Sequence, residues 1–297
     1  MTTKTEVHGL LRCLLADVGL PDDPVREPMR VWAHSGVERL RFPGAISVVF
    51  KYADAPLDRE YLALRLAERH GVPVPYVQAA CTEAGVLAML MDDLGKPVRE
   101  PNDFDGVCAA ARLHQVGGAV WLPRVTSAVL AGTPHRIGIR LRRLGLPGPD
   151  DVIRSLETAA PSRAAGAELP PFGLCHSQYH PTSLHMGERG WHLLDFARAF
   201  NGPGLLDLGS WYGTLNAPNP GRTLGLIESY VAVGGPREAL AARGGLDAAS
   251  WALGWHRVRA ADWFAQQMER GWADGAEDTW TRAITRHLIE AATLLGA

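Results

Sequence analysis

Lys51 is one of only three lysines, with Lys4 and Lys96, among the 30 Lys and Arg residues of the chain. It lies in a run of β-forming residues, Ile46-Ser-Val-Val-Phe-Lys-Tyr52, and Glu60 follows on an amphipathic segment, in the stripe of Leu57 and Leu64. A charge turned toward a buried face needs a partner. A strand lysine paired with a helix glutamate can hold a polyphosphate; a solvated lysine at a strand end is the plainer reading. The densest group of polar side chains comes later. Phe172-Gly-Leu-Cys-His176-Ser-Gln178-Tyr-His180-Pro-Thr-Ser183 is followed by Trp191-His-Leu-Leu-Asp195-Phe196 and Gly204-Leu-Leu-Asp207. A histidine there is the side chain suited to moving a proton near neutral pH. The amide of Gln178 can hydrogen-bond a hydroxyl but cannot take its proton.

These groups need elements to hold them. Glu6 to Val18 carries apolar residues at helical spacing and stops at Gly19 and Pro21. Met29 to Ala33, Val37 to Phe42 and Ile46 to Tyr52 predict an antiparallel meander, with His34-Ser-Gly36 and Pro43-Gly44 as its turns. A helix opens at Pro56 and Asp58 and ends at His70 before Gly71, and strands return at Tyr76 to Ala80 and Val86 to Met91. Past a hinge at Met91 to Gly95 and a proline-containing connector, Lys96 to Pro101, helices are expected over Phe104 to His114, His135 to Leu144 and Asp150 to Thr158. Ala159 to Leu169, with Pro161 and Gly166, reads as a loose connector. Leu184 to Met186 and Trp191 to Leu194 form a hairpin around Gly187-Glu-Arg-Gly190, and helices fill Leu205 to Leu295. The layout is a β-rich part over residues 1–95 and a helical part over 96–297.

The order and spacing of the 172–207 motifs resemble the aminoglycoside phosphotransferase family. There a loop His-Gly-Asp-x-His-Pro-x-Asn precedes a hairpin, a metal-binding Asp-Phe or Asp-Trp pair and a buried aspartate. His176 matches the first histidine, His180-Pro181 the second with its proline, Asp195 the metal aspartate and Asp207 the buried one. Lys51, Glu60, Gly71-Val-Pro-Val-Pro75 and Leu113-His114 also match, so the resemblance spans about residues 30 to 215. Three positions depart: Gln178 stands where the family has its base aspartate, Ser183 where it has a metal-ligating asparagine, and Ser177 where it has glycine.

The resemblance implies an α+β, protein-kinase-like fold of two lobes, with ATP and Mg2+ as cofactors. Its nucleotide contacts would be Lys51, Glu60, Met91, Asp92 and a phosphate-covering turn at Ser35 and Gly36. Asp195 and Ser183 would hold the metal, and Gln178 would orient the acceptor hydroxyl. His180 is expected to be structural, with service as a substitute base as the other reading. Two functions follow: a slow phosphotransferase acting on a small-molecule hydroxyl, or a pseudokinase that binds nucleotide or peptide beside a partner enzyme in natural-product modification.

Composition narrows the partners. Apolar residues make up 46% of the chain, enough for a sizeable core, and the formal net charge of −2 offers no footprint for nucleic acid or an anionic membrane. No stretch has the length or apolarity of a membrane span and the first residues lack a secretory pattern, so a cytoplasmic protein is expected. Cys13, Cys81, Cys108 and Cys175 are scattered and imply neither a zinc site nor a disulfide framework. Trp251, Trp255, Trp263, Trp272 and Trp280 are expected to pack helices together or to wall an acceptor pocket. Ten acidic residues beyond position 200 are nearly offset by eight arginines, which gives little draw for a polycationic acceptor.

Overall fold

The computed structural model describes residues 4–297. It divides into two compact units: one is formed by the described residues as far as Pro101 together with Thr182–Ala199, the other by Asn102–Pro181 and Phe200–Ala297.

The first unit opens with α1 (Lys4–Asp17), followed by β1 (Val25–Trp32), β2 (Ser35–Arg41), β3 (Ser47–Asp54), α2 (Glu60–Arg69), β4 (Val77–Glu83) and β5 (Val86–Asp92). The strands form one antiparallel sheet in the order β1-β2-β3-β5-β4. Side chains alternate across such a sheet. One face sends Leu40, Phe42, Val48, Phe50, Ala88 and Leu90 into a core with Leu11, Leu14 and Leu15 of α1. On the other, Val37 of β2 is the ladder partner of Lys51, and Lys51 of Met89. The helix after β3 begins at Glu60, later than its sequence suggests, because a turn in which Leu57 N donates to Asp54 O at 2.9 Å comes first. That start puts the Glu60 carboxylate in the first helical turn, where the helix dipole favours a negative charge. Gly71 ends α2 at φ 73°, and its N–H donates to Glu68 O at 2.8 Å.

The second unit starts with α3 (Asp103–Leu113), α4 (Ser127–Ala131), α5 (Thr133–Arg143), α6 (Asp150–Arg163) and β6 (Phe172–Cys175). The hairpin β7 (Leu184–Gly187) and β8 (Gly190–Leu193) groups with the first unit, bonded to it through Val98 N to Met186 O at 2.8 Å and Leu193 N to Pro73 O at 2.9 Å. The second unit resumes with β9 (Phe200–Pro203), α7 (Leu205–Ser210), α8 (Pro220–Ala232), α9 (Ala248–Glu269) and α10 (Glu277–Leu295). β6 and β9 pair as a two-stranded ladder that nothing in the local pattern announces; Gly202 and Pro203 disguise β9 as a loop.

The loose connector expected from Ala159 is helical as far as Arg163, through Pro161. Pro161 lies in the last turn, where few hydrogen bonds depend on it, and burial of Ala160 and Ala164 holds the segment in place. Trp251 and Trp255 are fully buried, and both indole N–H groups donate to the carbonyl of Arg163, at 2.8 and 3.1 Å. These two tryptophans are packing residues that fasten the end of α6. No helix among the described residues is long and apolar enough to cross a membrane.

Candidate functional site

In the first unit Lys51 joins two carboxylates. Its Nζ lies 2.6 Å from Glu60 Oε2 and 2.7 Å from Asp195 Oδ1. The lysine side chain is 9% exposed and the glutamate 1%, while Asp195 is 36% exposed and reaches solvent. Burial alone would push the Lys51 ammonium down, but the two carboxylates more than reverse this and hold it charged. Burial raises Glu60 to about 7, against the pull of Lys51 and of the Phe196 N–H that donates to its Oε1 at 3.2 Å. Asp195 stands at φ 67°, a left-handed conformation that costs a non-glycine residue energy and persists where the surroundings impose it. The result is a fixed ammonium beside a partly open carboxylate, an arrangement able to bind phosphate and a divalent cation.

The donor set suits magnesium, which takes one or two protein carboxylates and fills its remaining positions with water and phosphate oxygens. Asp195 supplies an accessible carboxylate. Ser183 is only 3% exposed at the foot of β7, where its carbonyl accepts from Leu194 N at 2.9 Å.

Of the other expected nucleotide residues, Ser35 and Gly36 lie in β2 rather than in a turn, because Trp32 and Ser35 pair and leave only Ala33 and His34 to close the hairpin. A Cβ on Gly36 would lie 2.4 Å from the Tyr52 ring, so its missing side chain makes room for that ring. Met91 is buried at the end of β5, and the exposed Asp92 accepts from Gln78 Nε2 at 2.7 Å. Next to them is an anchor that sequence reasoning missed. Asp93 takes a two-point contact from Arg39, at 2.6 and 3.0 Å, and further bonds from Ser47 Oγ at 2.7 Å and Gly95 N at 3.0 Å. Burial opposes the charge, yet these donors prevail and hold the carboxyl down at about 2. Beside this connector, Leu94, Gly95, Lys96, His185, Arg189 and His192 line a cavity of about 340 Å3.

In the second unit β6 delivers the chain into the loop of His176, Ser177, Gln178, Tyr179 and His180. Asp207, fully buried on α7, accepts from His176 N at 2.7 Å and Ser177 N at 2.9 Å. Asp207 Oδ2 also lies 3.4 Å from His114 Nε2, and His114 Nδ1 lies 3.3 Å from Tyr230 Oη. Ser177, in the position where the resemblance has glycine, is at φ 75°. Gln178 and His180 are half-buried, and Gln178 N donates to His176 Nδ1 at 3.3 Å. Between them Tyr179 is fully buried; its hydroxyl bonds Gly106 O and its carbonyl accepts from Ser210 Oγ at 2.7 Å. Tyr179 was not singled out by the sequence, and only its place between two polar residues of the loop could have hinted that it is the anchor.

His114, Cys175 and Asp207 offer ligand atoms within 4.8 Å of one another, all buried. Burial, reinforced by Asp207, pushes the Cys175 thiol well above its ordinary value, and Asp207 is already taken by two amides. A protonated thiol is a poor metal ligand, and the cluster is a brace for the loop.

The sequence matches the family described as "Phosphotransferase enzyme family" over residues 47–260. A search of curated proteins finds no match. Similar solved structures include macrolide 2'-phosphotransferase MphH from Brachybacterium faecium, with 17% identity and a TM-score of 0.63 over 92% of this chain and 97% of that one. A choline/ethanolamine kinase family protein from Mesorhizobium loti has 20% identity and a TM-score of 0.60 over 97% and 99%. Amicoumacin kinase hAmiN, solved with AMP-PNP, Ca2+ and Ami, has 14% identity and a TM-score of 0.59 over 98% and 96%. At these identities the likeness is one of fold, and the fold is kinase-like.

Proposed function

The chain belongs to the phosphotransferase enzyme family, and from that premise we propose that it is an ATP-dependent phosphotransferase acting slowly on a hydroxyl of a small molecule. The observation that carries this reading is the buried Lys51–Glu60 pair joined to the partly open carboxylate of Asp195. In kinase-type phosphoryl transfer a strand lysine held by a helix glutamate takes the α and β phosphates. Met91 and Asp92 serve the base end of the nucleotide, beside the connector held by Asp93. Asp195 with Ser183 holds magnesium, which when bound neutralises charge on the phosphate oxygens. Gln178 orients the acceptor hydroxyl without taking its proton, and loss of a general base costs about 10²- to 10⁴-fold in rate. The transferred phosphoryl group has a loose transition state, so positioning and charge still support transfer. His180 is the structural residue of the loop.

The second reading, a pseudokinase that binds nucleotide or peptide beside a partner enzyme, is favoured by the joint presence of Gln178 and Ser183 at the two reacting positions. Titration calorimetry with ATP and magnesium tests the nucleotide site that both readings share. The native protein is expected to bind, and Lys51→Ala to bind at least tenfold more weakly. Equal binding by the two proteins, or none by either, would sink the proposal.

A further inference from the structure

We infer that Arg30 of β1 is a phosphate-binding residue of the nucleotide site, directed at the terminal phosphates; this rests on the ATP reading above. A glycine-rich flap covers phosphates with backbone N–H groups. Here β1 and β2 stay paired up to Trp32 and Ser35, and the two-residue turn is tied to the end of β3. Asp54 N donates to His34 O at 2.9 Å, and His34 Nδ1 lies 3.1 Å from Asp54 Oδ2. The Tyr52 ring fills the space beside Gly36. A turn this short and this anchored has no run of amides to wrap around an anion, so positive charge at this edge has to come from a side chain.

Arg30 pairs with Val37, and Val37 with Lys51, so the arginine and the lysine share one row across three strands and one face of the sheet. Arg30 Nη1 lies 4.0 Å from Asp195 Oδ2, while Lys51 takes Oδ1. The Arg30 guanidinium lies 4.9 Å from the centre of the Trp32 ring, a cation–π contact that limits its wandering.

Arg30 and Lys51 are the two cations set beside Glu60 and Asp195. Lys51 is 9% exposed and tied twice at 2.6 and 2.7 Å, whereas Arg30 is 61% exposed, 4.0 Å from Asp195 and otherwise against the Trp32 ring. Arg30 is the cation of the group that can turn, and its planar fork suits phosphate oxygens.

Calorimetric titration of ATP and AMP with magnesium into the native protein, Arg30→Ala and Arg30→Lys tests this, and the exposure of Arg30 leaves folding unthreatened. Arg30→Ala is expected to weaken ATP about tenfold, one charge-assisted contact, with AMP unchanged and Arg30→Lys in between. Equal ATP affinity in Arg30→Ala and the native protein overturns the inference alone. Parallel loss of ATP and AMP reduces Arg30 to a structural residue and also overturns it. A native protein that binds neither nucleotide overturns the ATP reading together with the inference.

Discussion

The Lys51 group of the first unit and the Gln178 loop of the second are held by the same device, a buried carboxylate, yet they present opposite chemistry. Glu60 fixes an ammonium, and the open end of that group is charged. Asp207 fixes two backbone amides, and the residue that follows them, Gln178, carries a neutral amide. Asp207 therefore braces the loop beside the position where Gln178 stands in place of the aspartate that the resemblance implies. The departures from the family pattern are Ser177, Gln178 and Ser183, and they leave Lys51, Glu60, Asp195 and Asp207 in place.

Removing the charge at the first site should have the largest effect. Lys51→Met leaves Glu60 buried without its cation beside Asp195, and urea unfolding is expected to show a loss of about 3–5 kcal/mol, with Lys51→Met/Glu60→Leu recovering most of it. In the second unit Asp207→Asn keeps one acceptor oxygen but loses the charge. A cost of about 1–3 kcal/mol is expected, measured the same way; a cost below 0.5 kcal/mol, on the order of an ordinary surface change, would mean that the loop is held by Tyr179 alone.

Acid should separate the charged region from the neutral one. Asp93 is depressed in the folded state to about 2, from the ordinary value of 3.8. Its contribution is complete above the unfolded value and is lost as pH falls from about 4 toward 2. Stability measured across that window should fall more steeply in the native protein than in Asp93→Asn. The smallest effect belongs to Ser177, strained at φ 75°. Ser177→Gly relieves the strain while giving the unfolded chain more freedom, for a net gain of about 0.5–1 kcal/mol in thermal unfolding.

Much of the fold was legible because apolar periodicity switches from 3.6 to 2 and back between α1, the meander and α2. The candidate residues could be proposed from the sequence because their spacing is short: His176 to Ser183 and Lys51 to Glu60 each lie on one local segment. What stayed hidden depends on pairing between distant segments. β9 gains its identity only from β6, Asp93 only from Arg39 and Ser47, and Arg30 only from the register that puts it in the row of Lys51. The expected phosphate turn at Ser35 and Gly36 looked like a loop by composition, and strand pairing to the hairpin's end absorbed both into β2.

The proposed contrast between a phosphate site at Lys51 and a loop whose Gln178 cannot take a proton is tested most directly by ATP hydrolysis, with water as acceptor, in the native protein and Gln178→Asp at matched nucleotide saturation. Equal ATP affinity with turnover about 10²- to 10⁴-fold faster in Gln178→Asp is the expected result. Equal turnover, with Lys51→Ala as the inactive control, would contradict it.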